Sequence, residues 1–281
     1  MRAAIFYFSQ TGNTRRVAEA MQEVLAVRAG SCALYRLEQA DPAEILRYDL
    51  VGLGCPAFYF REPMNVKQFI QGLPVLSRQK QPAVFIFATH GGTPGAVLFR
   101  LKHLCLSKNL RTIGAFQCLG VDTFPPFADR RPQIAAGHPD DNDLARARQF
   151  AMDMLTAAND RGGQGQRDDI AVPLPARILS RLFSDRGLRR LARVGLLPRK
   201  IIIAQRCNRC GLCVQACPQG IIALRDLPVI SELGCIYCYH CHRTCPREAM
   251  ACNWRLFRII SGHYLRKYLA NIFRRKNEKR S

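Results

Sequence analysis

Short apolar runs alternate with amphipathic stretches over residues 1–159. Four continuous apolar runs have the length of buried strands. They lie at 3–8, 49–54, 83–88 and 113–120. Between and after them, apolar residues recur at helical spacing, as over 17–25 and 143–158. Buried strands that alternate with helices predict an α/β fold, a doubly wound parallel sheet.

The pattern changes after residue 159. Residues 160–172 are rich in glycine and polar side chains and indicate a linker. Residues 176–194 and the tail 253–281 place apolar residues at helical spacing with basic residues between them, which predicts basic amphipathic helices. Two roles stay open for them: packing against a folded domain, or binding a partner or a membrane surface. The predicted segments are 1–159, 160–200, 201–252 and 253–281.

Composition adds a size limit and a charge. The 281 residues suggest about two domains. Lys and Arg number 42 and Asp and Glu 21, so the net charge is +21. Residues 160–206 and 253–281 contain much of this excess, which points to a partner protein with an acidic surface or to an anionic membrane. Nucleic acid is disfavoured because no recognition motif accompanies the charge.

The expected location is the cytoplasm. No apolar run approaches the roughly 20 residues that span a bilayer. The N-terminal residues MRAAIFYFSQ lead directly into a strand-like run and do not have the pattern of a secretion signal. Peripheral contact with the inner face of the membrane stays open, because the basic amphipathic segments fit an anionic lipid surface.

Nine of the thirteen cysteines lie within 207–252. Eight of them form two runs with the same spacing, Cys-x2-Cys-x2-Cys-x3-Cys-Pro, so the segment is an internal repeat. The runs are Cys207, Cys210, Cys213 and Cys217, and Cys235, Cys238, Cys241 and Cys245. This spacing is that of ferredoxin iron–sulfur clusters. Disulfides would need an oxidising compartment, and a zinc site normally shows two paired ligand groups.

The segment 201–252 resembles the bacterial-type ferredoxins that hold two [4Fe-4S] clusters. The resemblance implies a small α+β domain in which the fourth cysteine of each run ligates the cluster of the other run. One cluster would take Cys207, Cys210, Cys213 and Cys245. The other would take Cys235, Cys238, Cys241 and Cys217.

The two runs differ after their second cysteine. Gly211 follows in the first run and Tyr239 in the second. Tyr239, with the neighbouring His240 and His242, could shield the second cluster, tune its potential or face a partner. Solvent-facing variation is the alternative.

A turn rich in hydroxyl groups follows the first apolar run and precedes a helix. It consists of Ser9, Gln10, Thr11, Gly12, Asn13 and Thr14. Free N–H groups at a helix N-terminus bind phosphate, and a turn without lysine suits a phosphate monoester. The turn lacks both common nucleotide-binding patterns. A plain helix cap is the alternative.

The turn S-Q-T-G-N-T resembles the flavodoxin signature [ST]-x-T-G-x-T. The resemblance implies a flavodoxin-like five-stranded doubly wound sheet over 1–159, with the phosphate of FMN on residues 9–14. It also implies that two later loops embrace the flavin ring, one of them with a stacked aromatic side chain. These loops contribute Pro56, Ala57, Phe58, Tyr59 and Phe60, and Thr89, His90, Gly91, Gly92 and Gly95. For the aromatic residues the alternative is core packing, and for His90 a capping or solvated side chain.

A flavodoxin-like domain followed by a two-cluster ferredoxin resembles the flavodoxin–ferredoxin fusion proteins. That resemblance implies electron transfer between two [4Fe-4S] clusters and FMN, with the protein as a carrier or a flavin/iron–sulfur oxidoreductase. Two alternatives stay open: a ferredoxin module on a flavin-free docking platform, and a membrane-associated oxidoreductase. We find no nucleophile–base pair or catalytic carboxylate pair, which favours redox chemistry over hydrolysis. The remaining cysteines are predicted to be small buried hydrophobes. They are Cys32, Cys55, Cys105, Cys118 and Cys252.

Overall fold

The structure is a computed structural model that describes residues 1–77, 81–128, 132–160, 170–257 and 259. Most of the predicted linker and of the basic tail lies outside these residues. The chain divides into two compact units. The first contains Met1–Thr123 and Pro132–Phe183, and the second contains the described residues of Phe124–Arg131 and Ser184–Ser281. Within the described part of the chain, no helix combines the length and hydrophobicity that a bilayer crossing requires.

The described residues form nine strands and nine helices, besides short 3-10 turns. The strands are β1 (Ala3–Tyr7), β2 (Cys32–Arg36), β3 (Leu50–Pro56), β4 (Ala83–His90), β5 (Arg111–Leu119), β6 (Lys200–Ile202), β7 (Ile222–Leu224), β8 (Pro228–Ile230) and β9 (Met250–Cys252). The helices are α1 (Asn13–Ala29), α2 (Met64–Gly72), α3 (Val97–Leu106), α4 (Pro125–Ala128), α5 (Asp141–Asn159), α6 (Leu174–Leu182), α7 (Asp185–Arg193), α8 (Leu212–Gln215) and α9 (His240–Thr244).

The first unit contains a five-stranded parallel sheet with the order β2-β1-β3-β4-β5. Helices α1 and α5 pack together on the sheet, and α3 packs on β4 and β5. The predicted flavodoxin-like doubly wound fold is therefore confirmed. The apolar runs mark four of the strands but not β2. Only Cys32 of this edge strand is buried, so β2 lacks the apolar run that a central strand shows.

Two glycines of β3 make room for the aromatic core of the sheet. A Cβ atom on Gly52 would lie 2.5 Å from the Phe85 ring, and one on Gly54 would lie 2.0 Å from the Phe87 ring. Both phenylalanines are fully buried in the cluster that also contains Met21 of α1. A side chain at either glycine would displace this packing, since a close-packed interior has no spare volume.

The second unit repeats its elements in the same register as its cysteines. Strand β6 corresponds to β8, α8 to α9, and β7 to β9. Each antiparallel pair joins one half of the repeat to the other, β6 with β9 and β7 with β8. Ile222 and Met250, equivalent in the repeat, are both buried in one small core with Cys241. The predicted internal repeat thus extends from spacing to secondary structure and packing.

The helices predicted over 176–194 are present as α6 and α7, separated at Phe183 and Ser184. Ser184 caps α7, because its hydroxyl accepts from the Gly187 N–H at 3.2 Å. Helix α6 groups with the first unit and α7 with the second. The predicted boundaries at 159, 200 and 252 stay predictions.

Candidate functional site

Three predicted flavin loops lie at one edge of the parallel sheet. They follow the carboxyl ends of β1, β3 and β4, which are adjacent strands. The first and third loops are joined by a 2.8 Å hydrogen bond between the buried hydroxyls of Thr14 and Thr89. The second is joined to the third by the Ala57 N–H, which donates to the Thr89 carbonyl at 2.8 Å. The fold therefore brings all three loops to the edge at which such sheets bind ligands.

The first loop leaves the N-terminus of α1 open to an anion. Gly12 is the N-cap residue, with a φ of 94° in the left-handed region, and no side chain caps the helix. The first turn contains no acidic residue. The Gly12 N–H donates to the Ser9 hydroxyl at 3.2 Å, and Asn13 donates to the Val121 carbonyl at 3.0 Å, which hold the loop in place. This end of the site fits a phosphate group.

The second loop packs its aromatic residues against the same unit. Phe58 meets Phe8 edge-on, with ring centroids 5.9 Å apart. Tyr59 and Phe60 both have positive φ, at 50° and 64°, and their rings lie 5.8 and 5.9 Å from the ring of Phe183. Phe183 follows α6 and was not singled out from the sequence. The predicted stacking side chains are thus in contact with an aromatic residue of their own unit.

Gly95 and His90 shape the third loop. A Cβ atom on Gly95 would lie 2.4 Å from the backbone of Phe60, so this glycine permits the close approach of two loops. His90 accepts at Nδ1 from the Gly92 N–H at 3.1 Å, which engages one of the amides predicted to reach the flavin. Burial lowers the pKa of His90 to about 4, so the imidazole is a neutral acceptor near pH 7.

In the second unit the eight cysteines of the two runs surround two hollows. Cys207, Cys210, Cys213 and Cys245 border one, which we call the first thiol group. Cys217, Cys235, Cys238 and Cys241 border the other, the second thiol group. Each group takes three thiols from one run and one from the other. These are the groups that the exchange of the fourth cysteine implies, and their occupancy by clusters stays a prediction.

Burial favours the protonated form of three of the eight thiols. Desolvation raises the pKa of Cys238 to about 12 and that of Cys241 to about 11. It also raises the pKa of Cys213, in the first thiol group. Metal ions deprotonate coordinating thiols outright. Four thiols around one hollow are a donor set that fits an iron–sulfur cluster.

Tyr239 is fully buried beside the second thiol group, so solvent-facing variation, the alternative left open above, is wrong for this residue. Its hydroxyl donates to the Pro198 carbonyl at 3.0 Å, and its backbone φ of 56° matches the left-handed conformation of Gly211 in the first half. His242 donates to the Met250 carbonyl at 2.5 Å. Tyr239 therefore occupies a glycine-type backbone position and fills the volume beside the thiols.

Lys200 was missed from the sequence. Its ammonium donates to the Cys235 Sγ at 3.1 Å and lies 4.8 Å from the centroid of the Tyr239 ring. Burial acts to lower the pKa of Lys200, but the charge and hydrogen bond of Cys235 outweigh it and the pKa is raised. Extending the repeat comparison upstream of the cysteines would have exposed this residue, since the equivalent position in the second half is Pro228.

An aromatic cluster within the second unit was also missed. The Trp254 ring lies 4.6 Å from that of Tyr239, and Phe124 and Phe257 lie 5.3 and 6.0 Å from Trp254. Phe124 comes from the short segment before α4, distant in sequence from the cysteines. This cluster adds apolar cover over the tyrosine that contacts Lys200.

The cysteines outside the two runs behave largely as predicted. Those of the first unit are all buried. They are Cys32, Cys55, Cys105 and Cys118. Burial raises the pKa of each, which suits inert core side chains. Cys252 is only partly buried.

Two separate parts of the chain match known families. Residues 5–104 match the family described as Flavodoxin. Residues 206–249 match the family described as a 4Fe-4S dicluster domain.

Individual relatives cover the first part of the chain. An uncharacterized protein of Methanocaldococcus jannaschii, MJ0298, is 25% identical over 158 residues, which are 55% of this chain and 99% of the relative. A flavodoxin from the domain Archaea is similar in structure, with 15% identity and a TM-score of 0.45 over 57% of this chain and 99% of its own. The flavodoxin of Megasphaera elsdenii shows 23% identity and a TM-score of 0.37 over 53% of this chain and 99% of its own.

Proposed function

We propose, from a chain that joins a flavodoxin domain to a 4Fe-4S dicluster domain, that the protein relays electrons between two [4Fe-4S] clusters and FMN. Both kinds of domain support electron transfer in general. The observation that carries the finer proposal is the sorting of eight cysteines around two hollows, four to each. When bound, clusters exchange single electrons and a flavin exchanges one or two. Together these cofactors would convert one-electron transfer into two-electron transfer, or the reverse.

The chain's own residues have separable tasks in this function. Each thiol group would hold one cluster and fix its position within the second unit. The open N-terminus of α1, with residues 9–14, would bind the FMN phosphate. The linked hydroxyls of Thr14 and Thr89 hold the phosphate loop against the third loop, and the neutral His90 fixes the Gly92 amide. No catalytic acid or base is assigned.

Protein purified without oxygen tests the proposal through its cofactor content. About eight iron and one FMN per chain are expected, the load of two cubane clusters and one flavin site. The matched variants Gly12→Asp and Gly12→Asn test the flavin loop. Both residues tolerate the left-handed backbone and cap helices. Only aspartate places a negative charge where the phosphate would bind.

Gly12→Asp is expected to weaken flavin binding at least tenfold more than Gly12→Asn, with the iron content unchanged in both. Flavin titration followed by fluorescence quenching measures the difference. Equal affinity in the two variants would contradict the phosphate assignment. Iron well below eight in the parent protein would contradict the two-cluster assignment.

One observation favours a second candidate, a flavin-free platform that docks a partner. Phe183 contacts both Tyr59 and Phe60, the side chains predicted to stack on the flavin. On this alternative the purified protein has about eight iron and no flavin, and it does not take up added FMN. Stoichiometric uptake of FMN would exclude it.

The redox partner with an acidic surface and the contact with an anionic membrane stay proposals. Helix α6 offers one surface for testing them, because Leu174, Ile178 and Leu182 are 69%, 56% and 54% exposed on a helix that also contains Arg177 and Arg181. Flotation with anionic and with neutral vesicles tests the membrane: binding to anionic vesicles alone is expected if the basic side chains contact lipid headgroups. Binding to neither kind of vesicle would exclude the membrane.

A further inference from the structure

The internal repeat places different residues at equivalent positions beside the two thiol groups. Lys200 begins β6, and Pro228, its equivalent in the second half, begins β8. Pro228 borders the hollow of the first thiol group, and Lys200 borders that of the second. At this pair of equivalent positions the first thiol group has a proline ring and the second has an ammonium.

Contacts on two sides hold the ammonium at the second thiol group. It donates to the Cys235 Sγ at 3.1 Å. The rings of Tyr237 and Tyr239 lie 5.4 and 4.8 Å from it, within the range of cation–π attraction. In the first half the equivalent positions are Arg209, which is exposed, and Gly211. The first thiol group thus has an exposed guanidinium beside its hollow and lacks the two aromatic rings that hold the Lys200 ammonium.

We propose that Lys200 raises the reduction potential of the cluster at the second thiol group, through its charged hydrogen bond to Cys235, and leaves the first cluster unaffected. The inference rests on the proposed function, since it requires a cluster at each group. Lys200 acts through Cys235 and is a positioning residue.

The direction of the effect follows from charge. A reduced cluster is more negative by one unit than an oxidised one, so a nearby cation stabilises the reduced form more. Hydrogen bonds to ligand sulfurs tune cluster potentials in the same sense. Lys200 is partly buried, which limits screening by solvent. Proline at position 228 has no side-chain charge and no N–H to donate.

The test is a redox titration, followed by electron paramagnetic resonance, of protein purified without oxygen and shown to contain its iron. Lys200→Met is expected to keep about eight iron and to shift the reduction equilibrium of one cluster about tenfold towards the oxidised form, about 59 mV for one electron. The potential of the other cluster stays the same. Lys200→Arg keeps the positive charge, so the potential of that cluster is expected to stay close to the value in the parent protein.

Arg199→Gln is the matched control. It removes one positive charge from the adjacent residue, which is exposed. Because exposed charges are screened, both potentials are expected to stay near those of the parent protein. If Lys200→Met fails to keep its iron, Lys200→Gln replaces it, since glutamine keeps a donor of similar reach but no charge.

Each other outcome has a distinct meaning. Two unchanged potentials in an iron-replete Lys200→Met or Lys200→Gln protein would overturn the inference and leave the proposed function intact. An equal shift of both potentials would overturn the claim that Lys200 acts at one site. A parent protein with iron well below eight would overturn the proposed function and, with it, this inference.

Discussion

At the scale of single residues, burial fixes protonation states that sequence alone does not give. The sequence left open whether His90 binds the flavin, caps a helix or is solvated. In the structure the Gly92 amide donates to His90, and burial lowers the pKa of His90 to about 4, which favours the neutral imidazole near pH 7. The positions of Lys200 and Tyr239 likewise depend on the fold. Their types are visible in the sequence, but their closeness to thiols depends on how the two halves of the repeat meet.

His90 should make stability depend on pH. Its folded pKa is about 4, and an unfolded histidine has a pKa of about 6.5. Between these values the unfolded chain binds more protons, so the free energy of unfolding falls as pH drops. We expect the parent protein to lose about 2 kcal/mol more than His90→Asn between pH 7 and pH 5, measured by urea denaturation. Asparagine can still accept from Gly92 but does not titrate. An equal loss of the free energy of unfolding in both proteins would contradict the lowered pKa of His90.

At the scale of elements, pattern predicted most of the first unit. The apolar runs identified four of its five strands. Three of them, β1, β3 and β4, are central and buried on both faces, and the edge strand β5 still buries Ile113, Phe116 and Cys118. The sequence predicted where the aromatic loop lies but not that Phe60 contacts Phe183. These two residues are far apart in sequence, and only the fold brings them together. Likewise, the role of Gly95 depends on the backbone of another loop.

The hydroxyl pair of Thr14 and Thr89 joins two such loops and can be tested by a double-mutant cycle. Thr14→Val or Thr89→Val alone leaves one buried hydroxyl without its partner, at a cost of about 1–3 kcal/mol. The double variant should cost clearly less than the two single costs combined. Urea denaturation of flavin-free protein measures all four forms. Thr156→Val, at an exposed hydroxyl of α5, is the control and should change stability by less than about 0.5 kcal/mol. Strictly additive costs would show that the hydroxyls do not interact.

At the scale of the whole molecule, the two family matches and the cysteine spacing agree on the architecture. Spacing was a sufficient signal for the ferredoxin part because the cluster dictates which sulfurs a tight loop can supply. The aromatic cluster of Phe124 and Trp254 could not be predicted, since Phe124 precedes all eight of these cysteines by a long stretch of chain.

The proposed exchange of ligands between the halves predicts the iron content of paired cysteine substitutions. Cys217→Ser with Cys235→Ser removes two ligands from the second thiol group and should leave about four iron per chain. Cys217→Ser with Cys207→Ser removes one ligand from each group and should leave almost none. Iron and acid-labile sulfide are measured in protein purified without oxygen. If each run ligated its own cluster, the two results would be reversed.

The proposed sharing of ligands also implies an order in time as the chain leaves the ribosome. The first thiol group begins with Cys207 but lacks its last member until Cys245, the last of the eight cysteines, has been made. The second group begins with Cys217 and is complete once Cys241 has been made. The site that begins later in the chain is therefore finished earlier, and neither half of the repeat can be truncated without leaving its twin one sulfur short.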